Sequence, residues 1–118
     1  MYSALMANPM LVAMVSAQPG EEAAFNEWYA EHLAEIREVP GIVSAQRYRL
    51  AATQAPGMAE PPHPNLALYE IDGDPEAVLA EIIRRRRDGV WSPRRGLDES
   101  RIGMWVFEPV GERGEPQD

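Results

Sequence analysis

Hydrophobic residues recur with a helical period in the first third of the chain. They occupy relative positions 0, 3, 4, 7, 8 and 11 of one segment, a spacing that forms a single stripe along a helix. The stripe consists of Phe25, Trp28, Tyr29, His32, Leu33 and Ile36. We therefore expect an amphipathic helix that begins at Glu21 and Glu22 and ends at about Val39, before Pro40-Gly41. Its opposite side is acidic and is expected to face solvent, with Glu27, Glu31, Glu35 and Glu38.

Apolar runs and alternating segments in the rest of the chain predict four strands. The predicted strands are Met10–Ala17, Ile42–Ala52, Leu66–Asp72 and Ser100–Glu108. A second helix is predicted over Pro75–Arg87, with Asp74 as its N-cap and Pro75 at its first position. Its predicted buried residues are Val78, Leu79, Ile82 and Ile83.

The resulting order, β-α-β-β-α-β, is typical of an α+β, ferredoxin-like fold with both helices on one face of an antiparallel sheet. A chain of 118 residues is long enough for one such domain, spanning 1–118 with a core at about 9–110. We expect residues 1–8 to be a loosely attached arm and residues 111–118 to be a disordered polar tail.

The alternation in the third and fourth strands gives the predicted sheet two apolar faces. Leu66 and Leu68 oppose Tyr69 and Ile71 in one strand; the last strand places Ile102, Met104 and Val106 opposite Trp105 and Phe107. Two helices can cover only one face, and the other would be a large exposed patch on a monomer. A homodimer packed sheet to sheet would remove that patch, so we expect a C₂ dimer.

Composition narrows the possible partners. With 11 basic and 19 acidic residues the net charge is −8, which disfavours nucleic acid and anionic membrane surfaces. The absence of cysteine and the presence of only two histidines argue against disulfides and against a metal site. The N-terminal apolar run has no basic flank and is too short to span a bilayer, so we expect a cytoplasmic protein.

A basic run, Arg84-Arg85-Arg86-Arg87, closes the second predicted helix, and Arg94 and Arg95 follow nearby. Cations at this end of a helix favour the macrodipole, so a solvated helix end is the first interpretation. A subunit contact or an anion site is the alternative.

The histidine of the apolar stripe, His32, is the main candidate for chemistry. A histidine in such a position is often a hydrogen-bonded core residue, because buried imidazole needs a partner. Its neighbours Trp28 and Tyr29 are side chains that often line small-molecule pockets, and imidazole titrates near neutral pH. The second histidine, His63, lies in the proline-rich loop 53–65, where it is either an exposed loop residue or part of a flap over a pocket.

Three groups of residues together resemble a known family. The helix motif Phe25-Asn26-Glu27-Trp28-Tyr29 with Glu31-His32, the turn Val39-Pro40-Gly41 and the strand segment Arg47-Tyr48-Arg49 are similar to the dimeric α+β barrel superfamily, in particular its EthD-like branch. The resemblance covers about residues 9–110. It implies a homodimer and a ligand held between sheet and helices, where a helix histidine at the position of His32 contacts it. The superfamily includes cyclases, isomerases, decarboxylases and cofactor-free monooxygenases.

These patterns lead to a first functional hypothesis: a cofactor-independent enzyme acting on a small, largely apolar carbonyl or phenolic compound. His32 would move a proton, and Tyr29, Tyr48 or Tyr69 would donate a hydrogen bond to a developing oxyanion, with Tyr29 as the first candidate. Tyr48 follows the alternation of Ile42 and Ser44. The sequence does not show whether the face that they share is the one covered by the helices. The expected substrate-binding residues are Trp28, Tyr48, Tyr69, Trp105 and His63. A non-catalytic binding protein with the same pocket and a purely structural dimer are the alternatives.

Overall fold

The structure, a computed structural model, describes residues 7–111 and confirms the α+β fold class. The six elements follow the predicted order: β1 (Met10–Val15), α1 (Glu22–Arg37), β2 (Ile42–Arg49), β3 (Asn65–Ile71), α2 (Pro75–Arg87) and β4 (Gly103–Phe107). The second helix has the predicted bounds, whereas β1, β2 and β4 are shorter than their apolar runs. Most of the predicted arm and nearly all of the predicted tail lie outside the described residues.

The four strands form one antiparallel sheet with the order β2-β3-β1-β4. In β1, Leu11 lies opposite Tyr69 of β3 and Val106 of β4, and all three face the helices. The next residue, Val12, lies opposite Leu68 and Trp105 on the other face, because successive strand side chains alternate. The predicted division of β3 and β4 into two apolar faces is therefore correct.

A β-bulge near the start of β2 changes the alternation of that strand. Ile42 lies opposite Ile71 and is buried on the helix side, but Ser44 lies opposite Glu70 on the other face. The extra residue between them reverses the side on which the following residues point. Tyr48, opposite Leu66, is therefore on the face away from the helices, and its predicted alternation with Ile42 does not hold.

The apolar stripe of α1 packs on the sheet as predicted, and its fully acidic opposite side is only partly confirmed. Glu27 and Glu31 are well exposed, but the Glu35 side chain is only 18% exposed. In α2 the N-cap is confirmed, since the Asp74 carboxylate accepts a hydrogen bond from the Glu76 N–H at 3.0 Å. Within residues 7–111 neither helix is long and apolar enough to cross a membrane.

In α2, Val78 and Ile82 are buried as expected, whereas the predicted burial of Ile83 is wrong. Ile83 is 58% exposed because it lies at the edge of the helix surface that faces the sheet. Its side chain lines the opening of a cavity rather than the core.

The connector between α2 and β4, residues 88–102, is tied to the turn between β1 and α1. The Gln18 N–H donates to the Gly96 carbonyl at 2.7 Å, and the Asp98 N–H donates to the Ser16 carbonyl at 2.9 Å. Gly96 has a φ of +68°, and a Cβ there would lie 2.7 Å from backbone atoms of α1. This close contact holds the connector against the helix and carries Trp91 to the core.

Gly96→Ala should destabilise the fold much more than Gly89→Ala. Both glycines have a φ near +70°, so each alanine meets the same backbone strain of about 1 kcal/mol. Only at Gly96 does the new methyl group also collide with backbone, which adds about 2 kcal/mol. Urea denaturation of the two variants measures the difference in the free energy of unfolding. Equal losses would show that the contact between connector and helix is not tight.

Candidate functional site

A cavity of about 310 Å³ lies between the two helices, the sheet and the connector. The walls of the cavity are mainly apolar, and the helices, the sheet and the connector all contribute side chains to them. The wall residues include Leu11, Ala13, Val15, Ile36, Ile82, Leu97, Ile102 and Met104. A cavity of this size and character suits a small, largely apolar molecule.

His32 projects from α1 into this cavity between two indole rings. The imidazole is stacked on Trp28, with ring centroids 4.8 Å apart and planes 17° apart. It meets Trp91 of the connector edge to face at 5.4 Å. The side chain is 13% exposed, so its orientation is fixed by aromatic packing while one edge still reaches the cavity.

The carboxylate of Glu35 lies one helical turn beyond His32. Its Oε1 is 3.5 Å from His32 Nδ1, longer than an ordinary hydrogen bond, and neither atom has a hydrogen-bond partner within residues 7–111. Its Oε2 accepts a hydrogen bond from the Ser92 N–H at 2.7 Å, which anchors the carboxylate to the connector. A carboxylate beside Nδ1 favours the tautomer that carries the proton there, so Nε2 is the nitrogen with a lone pair for a ligand.

The surroundings of His32 keep its imidazole neutral. Burial is the largest effect, and the positive charges of Arg86 and Arg94 act in the same direction; together they lower the pKa to about 4 despite Glu35. At neutral pH the imidazole is therefore uncharged. It can accept a proton as a base, but it is not present as the imidazolium that would act as a general acid. Any imidazolium formed during a reaction would be stabilised by Glu35.

Two buried tyrosines occupy the floor of the cavity. Burial raises the pKa of Tyr29 to about 12, although the charge of Arg47 and a hydrogen bond with Tyr69 lower it. The pKa of Tyr69 is also raised, mainly by burial. Both phenols therefore stay protonated and can donate hydrogen bonds at neutral pH. Behind Tyr29 the Arg47 guanidinium lies 4.5 Å from the ring centroid, held by Asn65 at 3.1 Å.

The rim of the cavity carries positive charge. Arg86 and Arg87 from α2 and Arg94 from the connector all line it. The Arg86 guanidinium lies over the ring of Trp91, 5.2 Å from the ring centroid. Arg94 Nε and Trp28 Nε1 are both buried without a hydrogen-bond partner within the described residues. The polar groups at the cavity are therefore mostly donors.

Four of the residues proposed from the sequence meet in this cavity: Trp28, Tyr29, His32 and Tyr69. Two others do not reach it. Tyr48 and Trp105 lie on the opposite face of the sheet and are about half exposed. Strand alternation separates the two faces, but a sequence does not show which face the helices cover, and in β2 the bulge also reverses the pattern.

His63 is also remote from the cavity, and the expected flap over it is not formed by this loop. No residue of the loop 53–65 lines the cavity. The His63 ring is buried at one end of the sheet, where its Nδ1 lies 2.8 Å from Ser16 Oγ. Arg101 donates to the Pro62 carbonyl nearby. His63 therefore anchors the base of the loop to Ser16, directly after β1, and does not line the cavity.

The sequence interpretation missed Glu35, Trp91 and the cationic rim as parts of the site. Glu35 is three residues after His32, a spacing that brings helix side chains together, and this signal was present in the sequence. The arginine run allows an anion site as one interpretation, but its sequence does not show that Arg86 and Arg87 line the same cavity as His32. Trp91 gave no signal, because the connector has no periodicity from which its direction could be inferred.

A scan against models of known protein families finds no match for this chain, and a search of curated proteins finds no similar sequence. Within the part of the chain that the structure describes, no group of three or more histidine, aspartate or glutamate residues is placed to hold a metal ion.

The burial of neutral His32 predicts a stability that falls on acidification. The pKa is 6.5 for an unperturbed imidazole and about 4 in the folded chain, so between these values the unfolded state binds more protons. The contribution of His32 to the free energy of unfolding is therefore complete above pH 6.5. As the pH falls toward 4, the free energy of unfolding decreases by about 3 kcal/mol.

Urea denaturation of the native protein and of His32→Gln across this pH range measures that contribution. The carboxylates titrate in both proteins, so the difference between their stability profiles isolates His32. Parallel profiles would contradict the lowered pKa.

Proposed function

We propose that the protein is a cofactor-independent enzyme that acts on a small, largely apolar carbonyl or phenolic compound by proton transfer through His32. The observation that carries the proposal is the position of a neutral imidazole in the wall of an apolar cavity, with a carboxylate beside its Nδ1.

The supported chemistry is removal of a proton from an activated C–H or O–H group. His32 Nε2 would accept the proton, and the electron pair left behind would move onto the substrate oxygen. The imidazolium would be stabilised by Glu35, which is 3.5 Å away and already anchored by Ser92. Return of the proton to a different carbon would complete an isomerisation. In a cyclisation, the enolate carbon would instead attack a second carbonyl of the same molecule, and the proton would go to the alkoxide formed there.

Tyr29 would stabilise the oxyanion formed in this step, while Tyr69 donates its O–H to the Tyr29 hydroxyl. Both hydroxyl groups belong to buried side chains of the cavity and remain protonated at neutral pH. Hydrogen-bond donors held in a low-dielectric site stabilise developing negative charge more than donors in water. Trp28 would shape the apolar part of the pocket, as expected from the sequence.

We further propose membership of the dimeric α+β barrel superfamily, in its EthD-like branch. The support is the ferredoxin-like order of elements together with the helix motif that places His32 between helices and sheet.

A binding protein without turnover is the second candidate, and one observation favours it. A pKa of about 4 makes His32 a weak base at neutral pH. A ligand that accepted hydrogen bonds from the donors of the cavity would fit such a site without any reaction.

Exchange of activated C–H groups with solvent deuterium tests the proposed chemistry without knowledge of the natural substrate. Wild-type protein should accelerate exchange in a panel of small ketones and phenols followed by NMR. His32→Gln should stay folded and lose about 100-fold or more of that rate. His63→Gln is the matched control, since this histidine lies away from the cavity, and should keep the rate. A His32→Gln protein with a lower melting temperature but an intact rate per folded molecule would leave only a structural role.

The homodimer expected from the sequence is also a proposal. The face of the sheet away from the helices carries large apolar side chains; Tyr48, Trp105 and Phe107 are 48%, 49% and 60% exposed. Trp105 folds over Gly103, so its indole covers the strand and presents a flat apolar surface. Packing of two such faces would remove this surface from water.

Phe107→Glu should dissociate the dimer, because it places a charge within the apolar face. Val90→Glu is the matched control: Val90 is also 60% exposed but lies in the connector, away from that face. Sedimentation equilibrium at micromolar concentration should give twice the chain mass for the wild type and the control, and the chain mass for Phe107→Glu. A monomeric wild type would overturn the proposed dimer.

A further inference from the structure

The arginines around the end of α2 differ in their ion pairs. Six of the 11 basic residues lie between positions 84 and 95 of a chain with net charge −8. Five of the six have a carboxylate within 4 Å: Arg84 and Arg85 pair with Glu81, Arg87 with Asp88, Arg94 with Glu99, and Arg95 with Glu27 and Glu31. Arg86 has none among residues 7–111. The helix end is therefore not a uniform solvated run.

Among the arginines that line the cavity, Arg86 is the one without a carboxylate partner within residues 7–111. Its side chain is half-buried, lines the cavity and lies over Trp91. Glu35 and Glu99 attract it only at longer range, and Arg94 repels it. Holding an unpaired charge partly out of water is unfavourable, so a partner that supplies negative charge would be stabilising.

Two further groups of the cavity require a hydrogen-bond acceptor. Trp28 Nε1 and Arg94 Nε are buried and have no partner within the described residues. Both can only donate. Each buried donor left without an acceptor costs about 1–3 kcal/mol, and because both atoms are closed off from solvent, a ligand would reach them only after local movement of the side chains around them.

We propose that Arg86 and Arg94 form an anion subsite at the rim of the cavity, so that the ligand combines an apolar body with a carboxylate. This inference rests on the proposed function, since it names the substrate class of the same pocket. The planar guanidinium of Arg86 matches a carboxylate in geometry, and Arg94, which also lines the cavity, adds a second positive charge besides its contact with Glu99. Glu99 is well exposed and can turn into solvent.

The subsite is coupled to His32 through charge. The groups that act on the imidazole come from three elements: Glu35 and Tyr29 from α1, Arg86 from α2, and Arg94 from the connector. An anion bound between the two arginines would offset the positive charges that hold the pKa of His32 down. Substrate binding would therefore convert a weak base into a stronger one, at the moment when a base is needed.

Binding of 1-naphthoate and of its neutral isostere 1-naphthamide at pH 7 tests the subsite. By isothermal titration calorimetry, the wild type should bind the carboxylate about 10-fold or more tightly than the amide. Arg86→Gln should remove this preference. Arg84→Gln is the matched control, because Arg84 lies on the same helix, pairs with Glu81 and Asp88, and does not line the cavity.

Equal affinities for the two probes, no saturable binding of the carboxylate, or an unchanged preference in Arg86→Gln would each overturn the anion subsite. None of these results bears on deuterium exchange with neutral ketones and phenols, which tests the proposed proton transfer by itself. Conversely, a preference for the carboxylate without any exchange activity would keep the subsite and favour the binding protein.

NMR titration of the histidine rings tests the coupling. The chain has only two histidines, so His63→Gln assigns the signals. Saturation with 1-naphthalenesulfonate, which stays anionic in acid, should raise the pKa of His32 by about one pH unit. Arg86→Gln should raise it without ligand, and Arg84→Gln should not. A pKa of His32 that stays unchanged on ligand binding would contradict the coupling.

Discussion

The tight packing of Gly96 against the first turn of α1 is the constraint on which the cavity depends. The connector contributes an indole and a guanidinium to the site, but it has no strand or helix of its own to place them. Its position is instead fixed by backbone hydrogen bonds to the β1–α1 turn and by the close approach at Gly96. An irregular segment thereby acquires the precision needed to hold Trp91 against His32.

Opposing effects meet at the imidazole. Aromatic packing and burial favour the neutral ring, whereas Glu35 favours the charged one. The positive charges of the arginines at the rim also favour the neutral ring. They act on the pKa of His32 through space, without a hydrogen bond to the imidazole. The proton acceptor and Glu35 therefore lie on α1, whereas the two arginines that weaken the acceptor as a base lie on α2 and on the connector.

The sequence was sufficient for the fold and for part of the site. Helical periodicity identified the stripe that contains Trp28, Tyr29 and His32, because packing against the sheet requires that spacing. It could not assign Tyr48, since one extra residue in β2 reverses every later side chain and leaves no mark in the apolar pattern. The contribution of Trp91 depends on a contact between segments far apart in the chain, which no local pattern encodes.

The anchoring of His63 on Ser16 has a consequence for how this fold can vary. The loop between β2 and β3 is closed at its base by that contact and by the hydrogen bond from the Leu50 N–H to the Pro64 carbonyl at 2.8 Å. Residues 53–62 beyond this closure are exposed and line no part of the cavity. Because doubling the length of a flexible loop costs only about 0.6 kcal/mol, this segment is a natural insertion point, where a fluorophore-bearing peptide or a second domain can be grafted while the cavity keeps its shape.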